Sequence, residues 1–360
     1  MLPRKFTYAQ TGVDRELRAK SKEALKILKE TYKFSRNDGV IQLPYGNIFA
    51  LDEKRYLDLV VEGVGTKVLV AQLAERYDTI GIDGVAMAVN DVIRSGAKPL
   101  ALADNIHAQF SDPTLVEEWI KGIAKGAAEA ECTVPSGEIG DVSELINGIV
   151  EGKGFDMVVA SIGEVAKENI ISGRNIEPDD TIIGLRSSGL HSNGISLARR
   201  ILFKRWGGKY EPHEIPDGLD RELVCEILEP TKIYVNPILK AAEEIELKAA
   251  VHVTGEGYGK FRNLTRFSKH TGFVFDNFKP QAIFELIQKT ALGLGGAITD
   301  EEMFRTFNMG WGFAMIVEKA NADEALGILA RNKMHAEPIG RTTSSEGIRI
   351  LHKKRKITLT

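Results

Sequence analysis

A glycine-rich crossover between a strand and a helix constrains this chain more than any other feature. Residues 56–61 (YLDLVV) are short and apolar enough to read as a buried strand. Glu62 closes it, Gly63-Val64-Gly65-Thr66-Lys67 follows, and an apolar helix begins. An acidic group therefore stands where a strand hands over to pliant backbone. Glycine N–H groups can approach phosphate oxygens, a lysine adds a point charge, and a carboxylate can hold the magnesium that accompanies ATP. A tight strand-to-helix turn would use the same residues. The run is not a Walker loop, because Thr66 precedes Lys67.

Asp83 suits the N-cap of a helix running from Gly84 to Ser95, with Gly96 as its stop. Val85, Val89, Val92 and Ile93 make that helix apolar, yet Asn90 and Asp91 sit in its middle. Asp83, Asn90 and Arg94 fall near one face, with Asp91 beside them. A charged carboxylate among valines is costly unless it is paired or bound to a metal; a solvent-facing stripe is the alternative. Gly137-Glu138-Ile139-Gly140-Asp141 adds two acids just after a strand. They could join Glu62 and Asp91 around magnesium, which hard oxygen ligands suit better than zinc, or form an acidic surface loop.

Other elements follow from local signals. A first helix is expected over Ser21–Tyr32, with Ala24, Leu25 and Leu28 as its narrow apolar stripe. Asp112 and Pro113 open a second amphipathic helix carrying Leu115, Val116, Trp119, Ile120, Ile123 and Ala127 on one side. Strands are expected at 100–102, 132–134 and 155–162, then at 181–185 and 312–317, with helices over 195–203 and 322–331. Thr299 and Glu302 form a capping box. The polar stretch from Ala166 to Asp180 marks a boundary, which divides the chain into residues 1–167 and 168–360. The fold class is α+β, in two halves.

In the second half Ser187-Ser188-Gly189-Leu190-His191-Ser192-Asn193-Gly194 lies between a strand and a helix. Small hydroxyl residues and free amides at a helix start suit a substrate phosphate. His191 could move protons near neutral pH or serve as a structural hydrogen-bonding residue. His252-Val253-Thr254-Gly255-Glu256-Gly257 is a second glycine-rich loop with a histidine at its edge, and a flexible turn would look the same. His107, His213, His270, His335 and His352 have no supporting neighbours and read as structural or exposed.

A length of 360 residues suits two α/β-sized domains, and a net charge of −3 offers no basic face for nucleic acid or an anionic membrane. The one basic run, His352 to Lys356, reads as a solvated terminus. No apolar run approaches the roughly 18 residues of a membrane span, and Met1–Asp14 lacks the apolar core of a signal peptide. Cys132 and Cys225 stand singly, fitting neither a metal ligand set nor a disulfide framework. A cytoplasmic location is the expectation.

Read in order, these segments resemble the aminoimidazole ribonucleotide synthetase family, the phosphoribosylformylglycinamidine cyclo-ligases. The residues that carry the resemblance are Thr7-Tyr8 with Gly12-Val13-Asp14, Gly63 to Lys67, Thr79 to Asp83 with Val89-Asn90-Asp91, and Gly96 to Leu100. They continue with Ser187-Ser188-Gly189, His191 to Gly194, Pro230 to Val235, His252 to Gly255, and Glu302 to Gly310. The resemblance implies a two-domain fold whose N-terminal sheet helps form a homodimer, a C-terminal α/β domain, and a groove between them. It implies ATP-dependent closure of an imidazole ring on formylglycinamidine ribonucleotide through an iminophosphate. On this sequence it places Mg²⁺ on Glu62, Asp91 and Glu138, and the ATP phosphates on Lys67. It adds Gly63, Val64, Gly65, Thr66, Asn90 and Asp14 to the nucleotide site. Catalysis is placed on His191, Lys67 and Asp91, and substrate binding on Ser188, Gly189, His191, Ser192, Asn193, Gly194, His252 and Thr254. Departures stand at Glu62, where the family has Asp, at Glu256, where it has Gly, and at Ser136 to Val142. Another ATP-dependent enzyme of the same superfamily, such as a small-molecule kinase or an amidine-forming ligase, and a non-catalytic nucleotide-binding scaffold are the rival readings.

Overall fold

The computed structural model describes residues 4–36, 39–268 and 270–359. Met1–Pro3, the first part of the polar start, lies outside them. A two-residue strand β1 (Arg4–Lys5) begins the described chain and pairs in parallel with β11 (Gly296–Ala297), so the N-terminus is fastened to the second half.

Six strands make the first sheet: β2 (Val40–Leu43), β3 (Gly46–Ala50), β4 (Arg55–Gly63), β5 (Lys98–Ala108), β6 (Thr133–Asp141) and β7 (Phe155–Ala166). Their order is β2-β3-β4-β7-β5-β6, antiparallel except for the β5–β6 pair. A short α2 (Val68–Ala74) follows β4, and one face of the sheet is covered by α3 (Asp78–Val92) and α4 (Pro113–Glu129). The second helix has the expected cap: Asp112 accepts from the N–H groups of Thr114 and Leu115, and Pro113 follows where no N–H is needed. Leu115, Trp119, Ile123 and Ala127 face inward, while Ile120 stays exposed. The two helices touch at glycines. A β-carbon on Gly81 would sit 2.3 Å from the Ile123 nitrogen and 2.4 Å from the Trp119 carbonyl oxygen, so no side chain fits.

The helix α3 starts five residues before the expected N-cap, so Asp83 lies inside it, and Gly96 ends the following turn at φ 85°. Every residue from Thr79 to Val92 is buried. An apolar face against the sheet explains Val85 and Val89. The polar Asp83 and Asn90 are buried because the second half covers their side.

The strand β4 corrects the expectation of a fully buried strand. Tyr56 and Asp58 point inward, whereas Leu59 and Val61 are 56% and 62% exposed on the uncovered face of the sheet. The expected first helix is also different. Asp14 caps a short α1 (Arg15–Ser21), and a 3₁₀ segment continues through Lys22–Phe34 with Leu25 and Leu28 turned to solvent.

The second sheet is mixed and has seven strands, ordered β15-β14-β10-β13-β8-β12-β9. They are β8 (Thr181–Arg186), β9 (Ala249–His252), β10 (Gly272–Phe275), β12 (Trp311–Val317), β13 (Ala336–Thr343), β14 (Gly347–His352) and β15 (Arg355–Leu359). The α-helices of this half are α5 (Ile195–Leu202), α6 (Leu223–Leu228), α7 (Val235–Glu244), α8 (Ala282–Gly293), α9 (Asp300–Thr306) and α10 (Ala322–Arg331). The strand β12 is buried along its whole length, as a central strand covered on both faces must be. The basic run at the end is a hairpin: Lys353 and Lys354 form its tip at positive φ, between β14 and β15. Among the described residues no helix is long and apolar enough to cross a membrane.

Candidate active site

The seam between the halves is built by the polar side of α3. Asp83 is its first anchor. The ammonium of Lys67 lies 2.9 and 2.8 Å from the two Asp83 oxygens and also donates to the Glu229 carbonyl at 2.7 Å. Thr231 gives Asp83 both its N–H and its hydroxyl, at 2.7 and 2.6 Å, and Ser192 donates at 3.0 Å. About two turns further on, Asn90 accepts from the Tyr234 N–H and donates to the Lys232 carbonyl. The polar side of α3 thus grips the Glu229–Tyr234 segment. A buried ion pair this well hydrogen-bonded tolerates loss of neither partner.

The expected phosphate cation, Lys67, has a side chain that is 0% exposed and an ammonium paired with Asp83. Asn90 likewise holds the seam. In the glycine loop Val64 is a core residue, Gly63 and Gly65 are exposed, and Thr66 meets Ser196 of α5 hydroxyl to hydroxyl at 2.8 Å.

Asp91 faces a different way, into a cavity of about 190 Å³ lined by Tyr45, Asp58, Glu62, Arg94, Gly173 and Leu264 among others. Its Oδ1 accepts from His252 Nδ1 at 2.7 Å, and its Oδ2 meets Arg94 at 2.7 Å. Burial pushes the carboxyl up, but Arg94, Lys260 and His252 outweigh it and hold Asp91 below the usual carboxylate range. Glu62 lies beside it and moves the other way, up to about 7, from burial and then the Asp91 charge. Asp58, four residues back on the same side of β4, is pushed up to about 6 by burial. The arrangement is one firmly charged carboxylate beside two whose protons are held more tightly than usual, as burial and a neighbouring charged acid require. Tyr45 stacks over Arg94, 5.2 Å from the guanidinium carbon to the ring centroid, and closes the cavity from the β2–β3 turn.

The two loop histidines lie in the second half, near enough for the charge of one to act on the other. His191 sits at φ 61°, an unusual conformation for a residue with a β-carbon, and its Nε2 accepts from the Ser188 N–H at 3.2 Å. Its Nδ1 is buried without a partner, as is His252 Nε2. Bonding partners assign the tautomers: His252 carries its proton on Nδ1 toward Asp91, and His191 carries its own on Nδ1. Both rings are held below the usual histidine range by burial, His191 well below it. His191 is therefore a neutral donor at the site and His252 a neutral acceptor.

The other expected residues divide. Ser188 spends its hydroxyl on the Pro230 carbonyl, Ser192 spends its own on Asp83, and Asn193 contacts Met87 and lies against Gly255. Gly194 stands at φ 75° where a β-carbon would come within 2.3 Å of Phe307, which locks the His191 loop against the Glu302–Gly310 segment. Thr254 is buried beside His252. Two residues are not brought to the site. Asp14 is exposed and caps α1 through Glu16 and Leu17. Glu138 is exposed on the edge strand β6, three strands across the sheet from Glu62, so it does not join Glu62 and Asp91 within the chain. Among the described residues no group of three or more potential ligands could hold a metal by itself. The sequence reading puts Arg94 on the helix face of Asp83 and Asn90 without giving it a role, and it passes over Asp58, Tyr45 and Lys260. Arg94 had a signal, since it stands three positions after Asp91 on a helix.

Two α/β halves joined through a buried helix, with a carboxylate pair on one and two histidine loops on the other, define the AIR synthase class of fold. Family models described as "AIR synthase related protein, N-terminal domain" and "AIR synthase related protein, C-terminal domain" match residues 37–165 and 177–353. The chain is 39% identical to the phosphoribosylformylglycinamidine cyclo-ligase of Thermococcus gammatolerans, over 96% of this chain and 98% of that one. It is 37% identical to the protein of the same name from Methanocaldococcus jannaschii, over 94% and 93%. The chain belongs to the phosphoribosylformylglycinamidine cyclo-ligase family. Solved structures of similar fold include Escherichia coli HypE (TM-score 0.59, 17% identity, 84% of this chain and 85% of that one). Thermotoga maritima PurL complexed with ATP is another (TM-score 0.56, 13% identity, 86% of this chain and 44% of that one).

Proposed function

We propose that this chain closes the imidazole ring of aminoimidazole ribonucleotide, converting formylglycinamidine ribonucleotide and ATP to the ring product, ADP and phosphate. One observation carries the site chemistry: Asp91 on the first half orients His252 on the second, at 2.7 Å, beside the Glu62 carboxyl. The formyl oxygen is a poor leaving group. Moving the γ-phosphoryl of ATP onto it makes an iminophosphate; the neighbouring nitrogen then attacks that carbon, a C–N bond forms, and the C–O bond to phosphate breaks. The attacking nitrogen must lose a proton, and the free Nε2 of His252 suits it as acceptor. The Nδ1–H of His191 suits a developing negative charge on the formyl oxygen, because a buried neutral donor costs no reorganisation.

Magnesium fits the Glu62–Asp91 pair. Mg²⁺ is commonly held by one or two carboxylates together with substrate phosphates, and would neutralise charge on the transferring phosphoryl group. In this reading Glu62 and Asp91 are the protein's ligands, Glu138 is left out, and backbone groups of Ser188–Gly194 receive the substrate phosphate. The exposed Leu59, Val61 and Leu100 on the open face of the first sheet favour a second copy of the chain as partner. Two unpaired cysteines suit the cytoplasm as its place of action.

Purified protein supplied with formylglycinamidine ribonucleotide, ATP and Mg²⁺ should release ADP together with aminoimidazole ribonucleotide. Failure to form either product while ATP still binds would favour a scaffold. Turnover of thiamine monophosphate would favour a kinase.

A further inference from the structure

The proposed site needs a cation for the nucleotide phosphates, and Lys67 is paired with Asp83. Arg94 is committed to Asp91 through Nη2 and to the Asp91 carbonyl through Nε. Lys260 is placed differently. It stands in the 3₁₀ segment Gly257–Arg266 that follows the His252 loop, and its ammonium donates to the His252 carbonyl at 3.1 Å. That is one hydrogen bond for a group with three N–H donors. Its charge acts on Asp91, Glu62 and Glu256, yet among the described residues no carboxylate lies within ion-pair distance of it. Burial disfavours the charge, and those three acids counter that effect. The ammonium is thus only half committed, and through His252 it stands one residue away from Asp91.

We propose that Lys260 is the lysine that meets the phosphates of the nucleotide at the Glu62–Asp91 pair. The inference rests on the ATP site of the previous section. A phosphate chain whose magnesium is held by Glu62 and Asp91 lies against those carboxylates, and the ammonium of Lys260 reaches both with its field. Lysine serves here as a point charge on a flexible stem, able to follow the γ-phosphoryl as it transfers.

The test separates charge from hydrogen bonding. Lys260→Gln keeps a donor for the His252 carbonyl and loses the charge; Lys260→Arg keeps the charge. Titration calorimetry with MgADP should show affinity falling by at least about tenfold in Lys260→Gln, as loss of a charge-assisted contact implies, and staying within about threefold of the parent in Lys260→Arg. Melting temperatures of both variants should stay near the parent's. If Lys260→Gln binds MgADP like the parent, Lys260 does not contact the phosphates. If Lys260→Arg is as weak as Lys260→Gln, the loss is one of shape and the proposal also falls. Absence of MgADP binding by the parent overturns the nucleotide site itself, and this inference with it.

Discussion

His252 and Asp91 reach each other across the seam, 161 positions apart in sequence, through a 2.7 Å hydrogen bond that fixes the histidine ring. Asp91→Asn keeps the shape but removes the charge from a carboxylate that also answers Arg94. Ring-closing turnover should fall by at least about a hundredfold, the scale of losing a positioned acid–base pair. The melting temperature should fall as well, because Arg94 is left buried beside a neutral amide. A steady-state assay paired with a thermal melt checks both; unchanged turnover would remove Asp91 from the chemistry.

Lys67→Met tests the seam. Removing one partner of a buried ion pair costs about 3–5 kcal/mol, so denaturant unfolding should shift by that amount. Nucleotide affinity of the protein that remains folded should change little. A variant with normal stability and no MgADP binding would return Lys67 to the phosphates.

Glu62 gives a pH signature. Its folded pKa, about 7, is above the ordinary carboxylate value of 4.5, so the folded state holds more protons between those two pH values. Stability from this group therefore falls as pH rises from about 4.5 to 7, by at most about 3 kcal/mol. Glu62→Gln should flatten that decline in urea titrations of the metal-free protein. An unchanged slope would mean that Glu62 ionises normally.

The open sheet face yields a prediction about assembly. If Leu59, Val61 and Leu100 cover a second copy, light scattering should report a dimer for the parent chain and a monomer for Val61→Glu. A parent that runs as a monomer would remove the homodimer from the reading.

The sequence made local features legible and long-range ones obscure. Asp112-Pro113 and the run 322–331 carry their own caps and stripes, and both helices form where those signals stand. The stop at Gly96 was equally local. Asp83 was misplaced because an aspartate before an apolar run looks like a cap, while its real partners are Lys67, 16 residues before it, and Thr231, 148 after it. Lysine burial has no sequence signature, so Lys67 read as a free cation. Strand β4 read as buried because Leu57, Leu59 and Val61 are apolar; only the sheet shows that the face bearing Leu59 and Val61 is uncovered. The ordered resemblance found both histidine loops. It could not find Arg94, Tyr45 or Lys260, whose roles come from where the two halves touch.

The burial of α3 along its whole length bears on how the molecule comes apart. A helix whose apolar side belongs to one sheet and whose polar side belongs to the other half cannot be released by either alone. Parting the halves would strip Asp83, Asn90 and Asp91 of Thr231, Tyr234 and His252 at once, so heat should melt the chain in a single cooperative step.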